Sequence, residues 1–229
     1  MITVISLGGS IVAPDRVDEA FLRDFVALIR TFLDQDGERR FILVVGGGGP
    51  ARAWQQAYRA VCGTTGSDEA ADWIGIMATR LNAQLIRAIM GEWCTTAVIT
   101  DPTQAGPFAG RVLVAAGWKP GFSSDYDAVL LAERFQAELV INLSNIEQVY
   151  TDDPKRNPDA KPLDHISWTD FRALMGDVWV PGKNLPFDPI ASRHAAEIGL
   201  RVICAAGRNL DNLQKLLQGE PFLGTTITP

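Results

Sequence analysis

The chain has 229 residues, nearly half of them apolar, with 21 Lys and Arg against 27 Asp and Glu, a net charge of −6. That balance excludes nucleic-acid binding by bulk electrostatics, though a small anion can still be held in a local basic pocket. Three widely spaced cysteines (Cys62, Cys94 and Cys204) and two isolated histidines (His165 and His194) offer neither a metal-site spacing nor a nucleophile–histidine pair.

In chain order, Ile2–Leu7 reads as a buried strand that ends in the turn Gly8-Gly9-Ser10. Asp18–Leu33 carries apolar residues at amphipathic-helix spacing. A second apolar run, Phe41–Val45, leads into Gly46-Gly47-Gly48-Gly49-Pro50, and Ala51–Val61 reads as a helix. Strand, glycines and helix together form the layout in which backbone N–H groups converge on an anion. Pro50 suits a first helical turn, and Arg52 offers a planar fork of donors in the same space. The spacing is neither that of Walker A nor G-x-G-x-x-G, and a plain strand-to-helix turn is the competing reading.

Ser67 or Asp68 caps a long helix to Met90, with Ile74, Met77, Leu81, Leu85, Ile86 and Ile89 assigned to its apolar face. Thr95–Thr100 and Arg111–Ala115 are predicted strands. The first leads into a Gly-, Pro- and Ala-rich stretch, 101–124, which contains the second and is suited to a substrate loop. Helix Asp125–Phe135 and strand Leu139–Leu143 follow, and 148–162 is turn-rich. Ser167 caps helix Trp168–Met175. Helix Pro189–Ile198, strand Arg201–Ala205, helix Asn209–Gln218 and a short strand, Thr225–Ile227, complete the chain.

The alternation of strand and helix predicts an α/β three-layer sandwich: a central, mostly parallel sheet covered by helices on both faces. One unit over 1–229 is expected, with halves of about 1–135 and 136–229. The sequence contains no apolar run of membrane-spanning length or signal-peptide pattern, so cytoplasmic residence is the expectation, with neither nucleic acid nor membrane as partner. Ligands of such sheets bind beyond the carboxyl ends of the strands. Both glycine turns then face one crevice, which suggests a phosphoryl donor and a phosphoryl acceptor side by side.

Several further pieces stand in order along the chain: 72–83 with Asp72, Thr79 and Asn82; Pro120-Gly121-Phe122-Ser123-Ser124-Asp125; Asn142-Leu143-Ser144-Asn145; Val149–Asp153; Asp188-Pro189-Ile190-Ala191; and Gly224–Ile227. In that order and spacing the chain resembles the amino-acid-kinase superfamily, and within it the short, archaeal-type uridylate (UMP) kinases. The resemblance implies transfer of the γ-phosphoryl of Mg·ATP to UMP, giving UDP and ADP, with Mg²⁺ as the ion that comes with ATP and no metal-binding side-chain motif. It implies ATP contacts at Gly8, Gly9, Ser10, Gly48, Arg52, Ser144, Asn145, Tyr150 and Asp153. It implies UMP contacts at Gly47, Asp72, Lys119, Gly121, Phe122, Ser123, Ser124 and Asp125, with Asp72 on the ribose hydroxyls. Arg52, Asp125 and Asp188 would form the catalytic group, Asp125 positioning Mg²⁺ or a lysine. A homo-oligomer, a hexamer built as a trimer of dimers, is the implied assembly.

Three departures from that family stand out. Ser6 occupies the place where many relatives carry a lysine facing the transferred group, and Lys183 is the first candidate to replace it, Lys119 the second. Ile146-Glu147-Gln148 lacks the usual tight turn, and Trp118, Phe122 and Tyr126 make the acceptor loop unusually aromatic. The alternatives are a kinase of the same fold for another small acceptor (a carbamate, an acyl-amino acid, an isoprenyl phosphate) and a non-catalytic nucleotide-binding storage or regulatory protein.

Overall fold

A computed structural model describes residues 2–154, 156–176 and 185–229. Its strands are β1 (Ile2–Leu7), β2 (Arg40–Val45), β3 (Val112–Ala115), β4 (Leu139–Ser144), β5 (Val149–Tyr150), β6 (Pro162–Leu163), β7 (His165–Ser167), β8 (Arg201–Ala206) and β9 (Thr225–Thr228). Its helices are α1 (Gly9–Val12), α2 (Glu19–Gln35), α3 (Gly48–Cys62), α4 (Asp68–Met90), α5 (Ser124–Arg134), α6 (Trp168–Met175), α7 (Pro189–Glu197) and α8 (Leu210–Gln218).

Seven strands form one sheet in the order β3-β2-β1-β4-β8-β9-β7, and β5 and β6 pair as a separate antiparallel hairpin. The central pairs are parallel; β9 runs antiparallel to β8, and β7 joins β9 in parallel. The chain builds outward from β1 to β2 and β3, then crosses to β4 on the other side of β1. This reversal opens a crevice between the carboxyl ends of β1 and β4. Ser6 and Asn142 are register partners there, both buried polar residues at the floor.

The apolar runs are continuous because both faces of the sheet are covered. Ile5, Leu7, Phe41, Leu43 and Val45 pack with α2, α8 and the later turns of α4. Val4, Ile42 and Val44 point the other way, into a core shared with α5, α6 and α7. The result is the predicted α/β sandwich. Phe21 and Phe25 are stacked in the first of these cores, with ring centroids 5.7 Å apart.

Some elements differ from expectation. Thr95–Thr100 is not a strand: the segment meets β3 through a single bridge, Ile99 with Ala115, before Asp101 turns it into the 3-10 segment Pro102–Gln104. α3 starts at Gly48, three residues before the expected position, because the glycines wind into its first turn. Ser67, not Asp68, caps α4, its hydroxyl accepting from the Ala70 N–H. On α4, Ile86 is buried as expected, but Met77 and Leu81 are 57% and 71% exposed; Gly75, Ile76, Asn82 and Ala83 face inward in their place. Small and polar residues took the inner face because α3 and the glycine turn approach it closely.

Candidate functional site

The two glycine turns interlock. The Gly8 N–H donates to the Leu143 carbonyl and the Gly46 N–H to the Leu7 carbonyl, so both turns are pinned to the strand ends around the crevice. A Cβ added at Gly9 would lie 2.0 Å from the Gly48 nitrogen, and one at Gly46 would lie 2.4 Å from the Gly9 nitrogen. Gly48 adopts φ +68, the left-handed region that glycine tolerates. The glycines therefore serve backbone-on-backbone packing between the turns. Asn82 reinforces the second turn, its amide donating to the carbonyls of Gly46 (2.9 Å) and Gly47 (3.1 Å). Asn82 is thus a buried polar contact to that turn.

A cavity of about 360 Å³ opens beside the second turn. Its walls are Gly46, Gly47 and Ala51; Gln55, Asp72, Gly75, Ile76 and Thr79; Gly117 and Lys119–Ser124; and Asp188 with Ile190. Of the residues expected to touch the acceptor, Gly47, Asp72, Lys119, Gly121, Phe122, Ser123 and Ser124 all line it. Asp72 accepts from the Gly121 N–H at 3.1 Å, joining α4 to the loop, and Gly121 holds φ +84 for that turn. The Ser123 hydroxyl accepts from the Tyr126 N–H at 3.2 Å as the cap of α5. The Lys119 ammonium lies 3.8 Å from the centre of the Trp118 ring and 5.1 Å from that of Phe122. A wider depression of about 530 Å³ lies beside α8, lined by Asn209, Asp211, Lys215 and Phe222, and no candidate residue lines it.

Two carboxylates meet where α5 and α7 begin. Asp125 Oδ1 accepts from the Ser6 hydroxyl at 3.0 Å, and its Oδ2 accepts from the Asp188 N–H at 3.3 Å. Asp188 caps α7, accepting from the Ala191 N–H at 2.8 Å, with Pro189 in the first turn. Burial of the Asp125 carboxyl, followed by the charge of Asp188, pushes its pKa up to about 6; the hydrogen bonds from Ser6 and Asp188 oppose the rise. Beneath them the Asn142 amide donates to the Pro186 carbonyl at 2.8 Å.

The other expected residues lie around this centre rather than in the cavity. Arg52 is exposed, and one of its guanidinium nitrogens donates to the Pro14 carbonyl at 3.0 Å. Gly8, Gly9 and Ser10 sit at the end of β1 and in α1. Ser144 ends β4 and accepts from the Ile146 N–H at 3.1 Å. Exposed Asn145, Tyr150 in the β5–β6 hairpin and Asp153, 3.6 Å from Arg156, continue along the same connection. Gln148, in the departing turn, is buried and donates to Asp164 and to the Gly224 carbonyl, tying that connection to the end of the chain. Lys183 lies outside the described residues.

Sequence reasoning missed Gln55, Arg80, Asp127 and Ile190. Arg80 had a usable signal, standing two turns beyond Asp72 on α4, where polar residues break an apolar helix face. Asp127 had another: a carboxylate four residues before Leu131, on the buried face of α5.

Residues 1–206 match the family described as the Amino acid kinase family. The chain belongs to that family. The uridylate kinase of Methanospirillum hungatei is 32% identical, the match covering 98% of this chain and 94% of that one. The uridylate kinase of Methanothermobacter thermautotrophicus is 34% identical over 99% of this chain and 98% of its own. Among solved structures, the uridylate kinase of Archaeoglobus fulgidus superposes with a TM-score of 0.84 at 30% identity, covering the whole of both chains. The UMP kinase of Bacillus anthracis, at 19% identity and a TM-score of 0.78, shares the fold.

Proposed function

We propose that this member of the amino acid kinase family is a UMP kinase, transferring the γ-phosphoryl of Mg·ATP to UMP and releasing UDP and ADP. The observation that carries the reading is the cavity bounded by the second glycine turn, Asp72 and the 117–124 loop, in a chain alike over its full length to archaeal uridylate kinases. Such transfer needs positioning and cancellation of charge more than covalent help. In this reading Asp72 takes the acceptor ribose and the loop residues Lys119, Phe122, Ser123 and Ser124 take its base and phosphate. Gly8, Gly9, Ser10, Gly48, Ser144, Asn145, Tyr150 and Asp153 flank ATP, and Arg52 reaches phosphate.

Mg²⁺ enters with ATP as part of that substrate, held mainly by its phosphates and water. Among the described residues there is no group of three or more His, Cys, Asp or Glu that could hold a metal on its own. The adjacent carboxylates of Asp125 and Asp188 bring negative charge that a nucleotide-borne cation offsets, which suits such a substrate.

A coupled ADP-release assay with UMP, CMP and a panel of carbamate, acyl-amino-acid and isoprenyl-phosphate acceptors tests the reading. Turnover with UMP above the panel is expected; turnover with a non-nucleotide and none with UMP would overturn it. A second reading, nucleotide binding without catalysis, draws on Ser6, which puts a neutral hydroxyl beside Asp125. Its signature is ATP binding with no transfer to any acceptor.

We read 1–229 as one unit around the continuous sheet, and the assembly as a homo-oligomer. Trp54, Val61, Trp73, Met77 and Leu81 are exposed apolar side chains on α3 and α4, which supports self-association. Light scattering on the purified chain measures the assembly; a monomer at micromolar concentration would remove it. No helix among the described residues is long and apolar enough to cross a membrane. The free cysteines support the cytoplasm as the compartment.

A further inference from the structure

The loop between β3 and α5 is clamped at its first residues by three side chains. The Gly117 N–H donates to the Thr79 hydroxyl at 2.8 Å. The Arg80 guanidinium donates to the Trp118 carbonyl at 3.0 Å. The Trp118 N–H donates to Asp127 Oδ2 at 3.2 Å. Thr79 lines the cavity, whereas Asp127 does not. Asp127 is fully buried on the inner face of α5 beside Ala128, Val129 and Leu131, and its Oδ1 has no hydrogen-bond partner among the described residues. A buried carboxyl with one idle oxygen costs stability that an apolar side chain at the same place would not.

What the carboxyl holds is the residue on which the loop is built. Trp118 supports the Lys119 ammonium on its ring face and packs against Phe122, with ring centroids 5.1 Å apart; Phe122 in turn stacks on Tyr126 at 4.9 Å. Lys119 and Phe122 both line the cavity. Displacement of the Trp118 backbone would therefore move a cation and an aromatic wall of the pocket together.

We propose that Asp127 is a positioning residue for the phosphoryl acceptor: through the Trp118 N–H it fixes the loop that presents Lys119 and Phe122 to the acceptor pocket. The inference rests on the UMP kinase reading for the identity of the acceptor, but the anchoring of the loop is independent of it. Because Asp127 acts on the acceptor side, its effect is selective for the acceptor over ATP.

The test compares Asp127→Leu and Asp127→Asn with the wild-type chain. Asn retains an acceptor for the Trp118 N–H; Leu fills the space without one. Loss of one such bond is expected to raise the KM for UMP about tenfold in Asp127→Leu, with the KM for ATP unchanged. Asp127→Asn is expected to return the KM for UMP to within about twofold of wild type. Hydrogen exchange across 117–124 is expected to quicken in the Leu variant and recover in the Asn variant. A wild-type KM for UMP with unaltered exchange in Asp127→Leu would overturn the proposal, as would an equal rise in both KM values. If the wild-type chain does not phosphorylate UMP, the functional reading fails. The exchange measurement then decides the anchor by itself, and unaltered exchange in the Leu variant refutes it. Should the Leu variant not fold, the same readouts on Asp127→Thr, smaller than Leu and too short to keep the bond, take its place.

Discussion

The Ser6 hydroxyl donates to Asp125 Oδ1 at 3.0 Å, joining residues 119 positions apart in the chain. A neutral group therefore supports that buried carboxylate. That bond lowers a pKa which burial and Asp188 have pushed up to about 6. In Ser6→Ala the opposing influence is gone, so Asp125 takes up its proton at higher pH. The acid limb of the kcat/KM profile is expected to move toward alkaline pH. Superimposable profiles for the variant and wild type would detach Asp125 from the rate.

Arg52 is exposed and, among the described residues, holds a single carbonyl, that of Pro14, leaving most of its donors available to a phosphate. Arg52→Ala is expected to lower kcat/KM by about tenfold or more, the worth of a charge-assisted phosphate contact of roughly 1.5–3 kcal/mol. Its melting temperature should move little, because the side chain is exposed. A variant with wild-type kinetics would take Arg52 out of the site.

The interlocked glycine turns make a sharp contrast of two substitutions. Gly9→Ala places a methyl 2.0 Å from the Gly48 nitrogen, a backbone atom that cannot rotate away. Such overpacking costs about 1–3 kcal/mol or more, and here it also displaces one of the two turns. A Cβ at Gly37 meets nothing within 4 Å, so Gly37→Ala should leave stability close to wild type. Thermal unfolding of both variants checks the pair, and equal melting temperatures would refute the close packing.

Stability should also depend on pH through Asp127. Burial, chiefly, and the charges of Asp125 and Asp101 push its pKa up to about 7, against the bond from the Trp118 N–H; the ordinary value is 3.8. The folded state therefore disfavours the ionised form. Its penalty is absent below the unfolded pKa, grows as pH rises and is complete above about 7. Asp127→Asn carries no such penalty, so its stability relative to wild type is expected to improve from pH 4 to pH 8, by a few kcal/mol at order of magnitude. Denaturant titrations at both pH values measure the difference; a constant offset would show that Asp127 does not titrate with folding.

Much of the architecture was legible from local pattern. Ile2–Leu7 and Phe41–Val45 announced central strands because an unbroken apolar run needs cover on both faces. The side-chain caps Asp18, Ser67, Ser123, Ser167, Asp188 and Asn209 stand where local hydrogen bonding puts them. Asp72, Lys119 and Gly121–Ser124 were assigned to the acceptor by the family resemblance of two short segments, and the structure lines one cavity with them; taken singly, those residues read equally well as helix caps and turn residues. Thr95–Thr100 was misread because its β-branched residues favour a strand, yet only Ile99 meets β3.

The tertiary structure alone decided the long-range pairings. Nothing local links Ser6 to Asp125, Asn82 to the glycine turn, or Asp127 to the amide of Trp118, since each bond depends on where a strand end meets a helix start. The same holds for the glycines: the sequence by itself marks Gly9 and Gly46–Gly49 as a place where backbone is bare. That the two turns close on each other, atom against atom, follows from β1 and β2 lying side by side in register. Composition and periodicity determine which elements form and which faces they bury, because those depend on neighbours along the chain; the floor of the crevice depends on neighbours across the sheet.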